Sequence, residues 1–274
     1  MHESSETSRG RTGGGGLVVE HPEWDAVDPR AEGLVSGIGG FPASDRGLFL
    51  AGYSELCGAC REGGHVLEIC GGFGKLAAAL AGAFPDTKVT GLDLYVPKEP
   101  GVEENLRRCP NLEYVAGDAF DLSGFGEGSL DLVWGQAALH HLSHDLDGLC
   151  REVARVLRPG GKLVFIFEPL GHNYAVAAIR AVRMARHELG DESNLYFSQF
   201  RRMAGYFESA RVQSFNLLGY PMKAFSDRFG GVSRLVRRAD ARLFRMCPLL
   251  MRYGANCNLV FSKGGGGEGK EGRA

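Results

Sequence analysis

From residue 44 to residue 168 the chain alternates between two hydrophobic patterns. Short, nearly continuous apolar runs closed by glycines or charges predict buried strands. They are HVLEIC (65–70), KVTGLDL (88–94), NLEYVAG (111–117), SLDLVWG (129–135) and KLVFIFE (162–168). Between them, apolar positions recur at helical spacing. SDRGLFLAGYSELCGACR (44–61) offers Ser44 as N-cap, and GKLAAALAGAF (74–84) is built of strong helix formers and stops before Pro85. SHDLDGLCREVARVL (143–157) is amphipathic with Ser143 at the cap position, and RPGG (158–161) reads as a stop and turn. Strands alternating with helices predict an α/β fold, a Rossmann-like doubly wound sheet that is mostly parallel, with helical insertions near the C-terminus.

Beyond Pro169 the rhythm changes. Residues 173–187 and 195–208 read as helices, RVQSFNLLG (211–219) and NCNLVFSK (256–263) as strands. The long segment 220–255 between those strands holds a helical stretch, 233–251. There Leu235, Ala239, Leu243, Met246 and Leu250 fall near one face. Arg234, Arg237, Arg238, Arg242 and Arg245 lie elsewhere, and Pro248 should kink or end the helix. Residues 1–16 and 264–274 are polar and Gly-rich and read as flexible tails around a domain at 17–263.

Composition narrows the classes. Of 274 residues, 44 % are apolar and 23 % charged, which is globular. No apolar run approaches the ~20 residues of a membrane span, and the first residues lack a signal peptide's apolar core. Seven scattered cysteines then predict reduced thiols and a cytoplasmic protein. Cys57-Gly-Ala-Cys60 has no second pair at ligand spacing, so no metal site is expected. The net charge of −2 hides a split: 14 Lys+Arg against 25 Asp+Glu up to Glu168, and 17 against 8 after it.

The chemistry concentrates at VLEICGGFGKLAAAL (66–80), a strand, a glycine turn and a helix. Gly71, Gly72 and Gly74 permit close backbone approach, and the helix start offers free N–H groups. Gly72–Ala77 fits G-x-G-x-x-A, so an NAD(P)-dependent oxidoreductase is one reading. Glu68 opposes it, because a carboxylate repels a pyrophosphate but welcomes a cationic amino-acid end. The order Glu68-Ile69-Cys70-Gly71-Gly72-Phe73-Gly74 resembles the acid-x-G-x-G-x-G loop of class I S-adenosylmethionine-dependent methyltransferases, with Cys70 in place of the first glycine. Asp93 in GLDL, Asp118 in AGDAFDL, LDLVWGQAALHHL (130–142) and LRPGGKLVFIFEP (157–169) follow in the order of that family.

The resemblance implies a cofactor core at 44–168, a substrate-covering helical region at 169–255 and S-adenosylmethionine as cofactor. Its ligands would be Glu68, Gly71, Gly72, Gly74, Asp93 (ribose) with Leu94, Asp118 (adenine) with Ala119, and Gln136. The loop after the fourth strand would face the methyl group, making His141, then His140, the candidate base. The implied activity is methylation of a small molecule, with a lipophilic acceptor among the options. A non-catalytic binding protein on the same fold is the third reading. Glu168-Pro-Leu-Gly-His172-Asn173 could orient an acceptor or form a turn and helix cap. The basic C-terminal half allows a solvated face, a lid, or peripheral membrane contact through 233–251. A pI near 6.5 and the lack of a nucleic-acid motif argue against nucleic acid.

Overall fold

The structure, a computed structural model, describes residues 17–21, 27–42, 45–96, 101–187, 194–220 and 230–265. The tail at 1–16, the Ser44 cap and residues 266–274 lie outside them.

The chain runs β1 (Leu17–Glu20), α1 (Pro29–Ile38), α2 (Arg46–Ala59), β2 (His65–Ile69), α3 (Lys75–Ala83), β3 (Lys88–Asp93), α4 (Val102–Arg108) and β4 (Leu112–Ala116). It continues through β5 (Leu130–Gln136), α5 (Leu146–Val156), β6 (Leu157–Pro169), α6 (Tyr174–His187), α7 (Phe197–Ala204), β7 (Ser209–Phe215), α8 (Gly230–Met246) and β8 (Asn256–Ser262). The strands form one sheet in the order β4-β3-β2-β5-β6-β8-β7-β1. Only β8 is antiparallel to its neighbours, so β2 to β7 end at one carboxyl edge. From β2 the chain winds outward to β3 and β4, then returns to place β5 on the other side of β2. That reversal makes the β2–β5 boundary the topological switch point, where open α/β sheets bind ligands.

Strand alternation supplies two cores. Leu67, Ile69, Val133, Leu163, Phe165, Leu259 and Phe261 face α5 and α7. Val66, Leu132, Trp134, Val164, Ile166 and Val260 face α1, α2 and α3. Both faces are covered, which explains why these strands read as continuous apolar runs.

The five predicted strands up to Glu168 and both C-terminal strands are present, with corrections at their ends. RPGG is not a turn outside the sheet: residues 157–169 form a single strand. Leu157 pairs with Leu130 and Lys162 with Leu132, so RPGG bulges out, and its glycines bond Lys263 instead. The cap of α5 is Asp145, which accepts from the Gly148 N–H, while the Ser143 hydroxyl donates to the His140 carbonyl. β7 stops at Phe215, and 216–219 turn. It lies inside the region expected to be a helical cover, which therefore also builds sheet.

The segment read as one helix at 233–251 is α8 followed, at Pro248, by a 3-10 turn over Pro248–Tyr253. Its buried face is not the one that carries Leu235 and Met246. Val236, Asp240, Ala241 and Phe244 point inward, whereas Leu235 and Met246 are 68 % and 82 % exposed. The buried Asp240 carboxylate decides the rotation by accepting the Leu218 and Gly219 N–H groups. Arg180 is also no part of a free basic face: it donates to the Leu170 and Ala255 carbonyls and to Asn194. Among the described residues no helix is long and apolar enough to cross a membrane.

Candidate functional site

Among the described residues, the non-glycine positions with positive φ are Cys70 (54°), Ala137 (50°), Phe167 (64°) and Asn216 (62°). They sit at the carboxyl ends of β2, β5, β6 and β7. Left-handed backbone costs about 1–2 kcal/mol at such residues, so the strain of the fold is collected on the edge where ligands bind.

The glycine loop leaves β2 there. Cys70 holds, at that cost, the left-handed conformation that glycine adopts freely, so a glycine would fit this position without strain. Gly72 (φ 50°) is open to solvent, with nothing near its Cα that a side chain would meet. Gly74 (φ 66°) has a different reason to be glycine: a Cβ there would lie 2.5 Å from the Tyr114 ring. The Tyr114 hydroxyl donates to the Gly74 carbonyl at 2.8 Å. Gly74 is thus a packing position beneath the loop, and Tyr114 a support that sequence reasoning missed.

Glu68 lies below the loop, 3 % exposed. Burial pushes its carboxyl up to about 8, although the Ala77 N–H and the Trp134 indole N–H pull the other way. Glu68 Oε2 and Trp134 Nε1 are buried with no hydrogen bond of normal geometry. Two polar atoms placed so invite a ligand atom, since buried polar groups are ordinarily paired. Asp93 closes β3 beside the loop and accepts from the Gly72 N–H (2.8 Å) and the Leu94 N–H (2.7 Å). Leu94 itself is exposed. Asp118, exposed after β4, accepts from the Phe120 N–H, and its neighbour Ala119 is buried. Gln136 ends β5 and accepts from the buried Tyr53 hydroxyl at 2.8 Å. The structure therefore gathers every predicted cofactor residue along the ends of β2 to β5.

The electrostatics of this edge have one sign. Burial pushes the Cys70 thiol up to about 12, and Asp93, Glu168, Asp118 and Glu68 all add to the rise. Four acidic side chains converge on this loop, and a bound cation would draw the proton from Glu68, held near 8, so the site favours a cationic ligand and opposes a pyrophosphate. The same burial effect holds Cys57 and Cys60 up at about 12, so neither is a poised thiolate. No cluster of three or more potential metal ligands occurs among the described residues.

The two histidines part company. His140 is 6 % exposed, with Nδ1 2.9 Å from Glu168 Oε2. Glu168 is wholly buried and also accepts the backbone N–H groups of Ala138 (2.7 Å), Leu139 (2.9 Å) and His140 (3.3 Å). A bulge aims it: Phe165 pairs with Leu259 but Glu168 with Cys257, and Phe167 turns left-handed with its N–H on Asn258. Glu168 therefore holds the β5 loop rather than an acceptor. Asn173 caps α6 by accepting the Val176 N–H, and His172 accepts the Phe197 N–H, so the turn-and-cap reading describes both. His141 is exposed, its ring 4.1 Å from that of His140. Sequence reasoning also missed an aromatic row behind these ends, Phe41 on Phe49 (4.1 Å) and Phe49 on Phe167 (5.2 Å).

Residues 67–165 match a family model described as a methyltransferase domain. Over 115 residues the chain is 41 % identical to a fatty-acid O-methyltransferase of Mycolicibacterium smegmatis, covering 41 % of this chain and 40 % of that protein. Over 104 residues it is 40 % identical to a demethylmenaquinone methyltransferase of Beutenbergia cavernae, covering 38 % of this chain and 40 % of that one. The match thus spans well under half the length of these relatives. A solved phosphoethanolamine N-methyltransferase 2 of Haemonchus contortus, in complex with S-adenosyl-L-methionine, shares the fold with a TM-score of 0.51 at 21 % identity. That similarity covers 79 % of this chain and 52 % of the other. Residues 67–165 thus carry the match to a methyltransferase domain, and the sheet around them shares its fold with a solved methyltransferase.

Proposed function

We propose that this protein is an S-adenosylmethionine-dependent methyltransferase acting on a small, lipophilic acceptor. The observation that carries the reading is the glycine loop at the switch point with four acidic side chains around it. Glu68 and the Trp134 indole would receive the charged amino-acid end of the cofactor. Asp93 would exchange its backbone partners for ribose hydroxyls, and Asp118 and Ala119 would bracket the adenine. The cofactor, when bound, supplies a sulfonium methyl that needs no further activation. The chain's own contribution is then proximity and orientation. Glu168 fixes the β5 loop, and exposed His141 on that loop would take the acceptor's proton where the nucleophile arrives protonated. The Phe41–Phe49–Phe167 row supports an apolar acceptor, as do the names of the two bacterial relatives. The division into a cofactor core (44–168) and an acceptor-covering region (169–255) belongs to the same proposal.

Calorimetric titration with S-adenosylhomocysteine and with NAD separates the readings. Binding of the nucleotide dinucleotide alone overturns ours. Transfer of label from the methyl-labelled cofactor into a lipid extract tests turnover. His141→Ala is expected to slow that transfer while leaving cofactor affinity near normal, and wild-type turnover in this variant would remove His141 as the base.

A further inference from the structure

The outward rotation of α8 leaves a surface that methyl transfer does not explain. At ~100° per residue, Arg234, Arg245, Arg238 and Arg242 occupy ~80° of arc, and Leu235 and Met246 continue it over the next ~40°. All six are exposed. The buried Asp240 is the sole acid of α8, and it is spent on the 216–219 turn. The 3-10 turn after the helix extends the same character with Leu249 at 70 % exposure and with Arg252 lying over the Tyr253 ring. Asn173 donates to the Tyr253 carbonyl, which brings the 81 % exposed Tyr174 alongside. Arginines flanking protruding large apolar side chains form the pattern of a helix that lies in a lipid interface.

We propose that the outer face of α8 and the turn after it dock this protein on an anionic phospholipid bilayer. The arginines would meet headgroup phosphates while Leu235, Met246 and Leu249 enter the acyl boundary. Charge selects this occupant. A second copy on the same face would set arginine against arginine across a two-fold axis. The anchor of α8 lies on the turn after β7, so docking would hold the carboxyl end of β7 about one helix diameter from the bilayer.

The test is co-flotation of the full chain with phosphatidylcholine vesicles, with and without phosphatidylserine, in the absence of cofactor and acceptor. It reads independently of methyl transfer, so either proposal can fail alone. Binding is expected only with phosphatidylserine and should weaken as salt rises. Arg238→Gln with Arg242→Gln should lower partitioning about 25-fold, from about 1 kcal/mol per arginine. Leu235→Ser with Met246→Ser should also lower it. All four side chains are exposed, and unchanged melting temperatures certify the fold. Equal binding to both vesicle types, binding unaffected by the arginine pair, or no binding overturns the proposal. Self-association by sedimentation velocity that Leu235→Ser with Met246→Ser abolishes would assign the face to a second copy instead.

Discussion

Replacing Glu168 by Gln isolates what one buried charge does for the site. In the native protein Oε1 accepts from Ala138 and Leu139, while Oε2 accepts from the His140 N–H and faces His140 Nδ1. A Gln amide keeps one oxygen, which can serve the first pair. Its NH2 then opposes the His140 N–H, donor against donor, in a place without solvent. An unsatisfied buried donor costs about 1–3 kcal/mol, and each lost hydrogen bond to a charge about 1.5–3 kcal/mol. The expected destabilisation is therefore about 3–5 kcal/mol. For a chain of this size that lowers Tm by about 10 °C. Urea unfolding should show a lower midpoint with an unchanged slope. Because Gln136 is anchored separately by Tyr53, cofactor affinity should fall less than kcat. A loss below about 1 kcal/mol, or a loss confined to cofactor affinity, would refute the idea that Glu168 holds the β5 loop.

Other expectations follow from the same edge. Glu68 is held near 8 against an ordinary 4.5, so the folded protein binds more protons than the unfolded chain between those values. Stability should accordingly fall as pH rises from about 4.5 through 8, by at most about 5 kcal/mol. Binding a cation beside Glu68 should release a proton at neutral pH. Calorimetry in buffers of different ionisation enthalpy would detect it, and a buffer-independent heat would place the cation elsewhere. Cys70→Gly should leave stability within about 1 kcal/mol of native, because relief of the left-handed backbone offsets the greater freedom of the unfolded chain. Cys70→Val, β-branched at φ 54°, should cost about 2 kcal/mol or more by denaturant melt; equal effects would mean the loop has relaxed. Gly74→Ala should destabilise by about 2 kcal/mol or more, and Tyr114→Ala should make the two changes strongly non-additive. Additivity would show that Tyr114 is not the obstacle.

The sheet was legible because its strands are buried on both faces and need nothing but continuous apolar runs. α1 was overlooked although Asp28 caps it and Pro29 opens it, signals that need no structure to see. β1 is four residues of edge strand, and its existence depends on β7, nearly two hundred positions away. The buried face of α8 is not legible in the sequence, because helical periodicity alone weighs Leu above Asp. A buried carboxylate with two backbone donors outranked two leucine-sized side chains, and only tertiary contact reveals that. At the site, residue order pointed to acids and glycines that the fold places along one edge, but not to the partners that hold them. Gly74 owes its identity to the Tyr114 ring, and Glu168 serves the loop because a bulge turns it. Both causes lie in partners far along the chain.

The position of β8 between β6 and β7 has a consequence for how the protein is made. β6 is complete at Pro169, yet the strand that covers its outer edge begins at Asn256. During synthesis at about 5–20 residues per second, roughly 90 residues must still be added, leaving that edge bare for about 5–20 seconds. The nascent sheet ends meanwhile in Leu163, Val164 and Phe165 with unpaired backbone groups, a ready template for wrong pairing. Final closure is therefore a late insertion into the middle of the sheet, not an addition at its margin. Chaperone dependence and refolding yield should follow changes in β8 more closely than changes in β4.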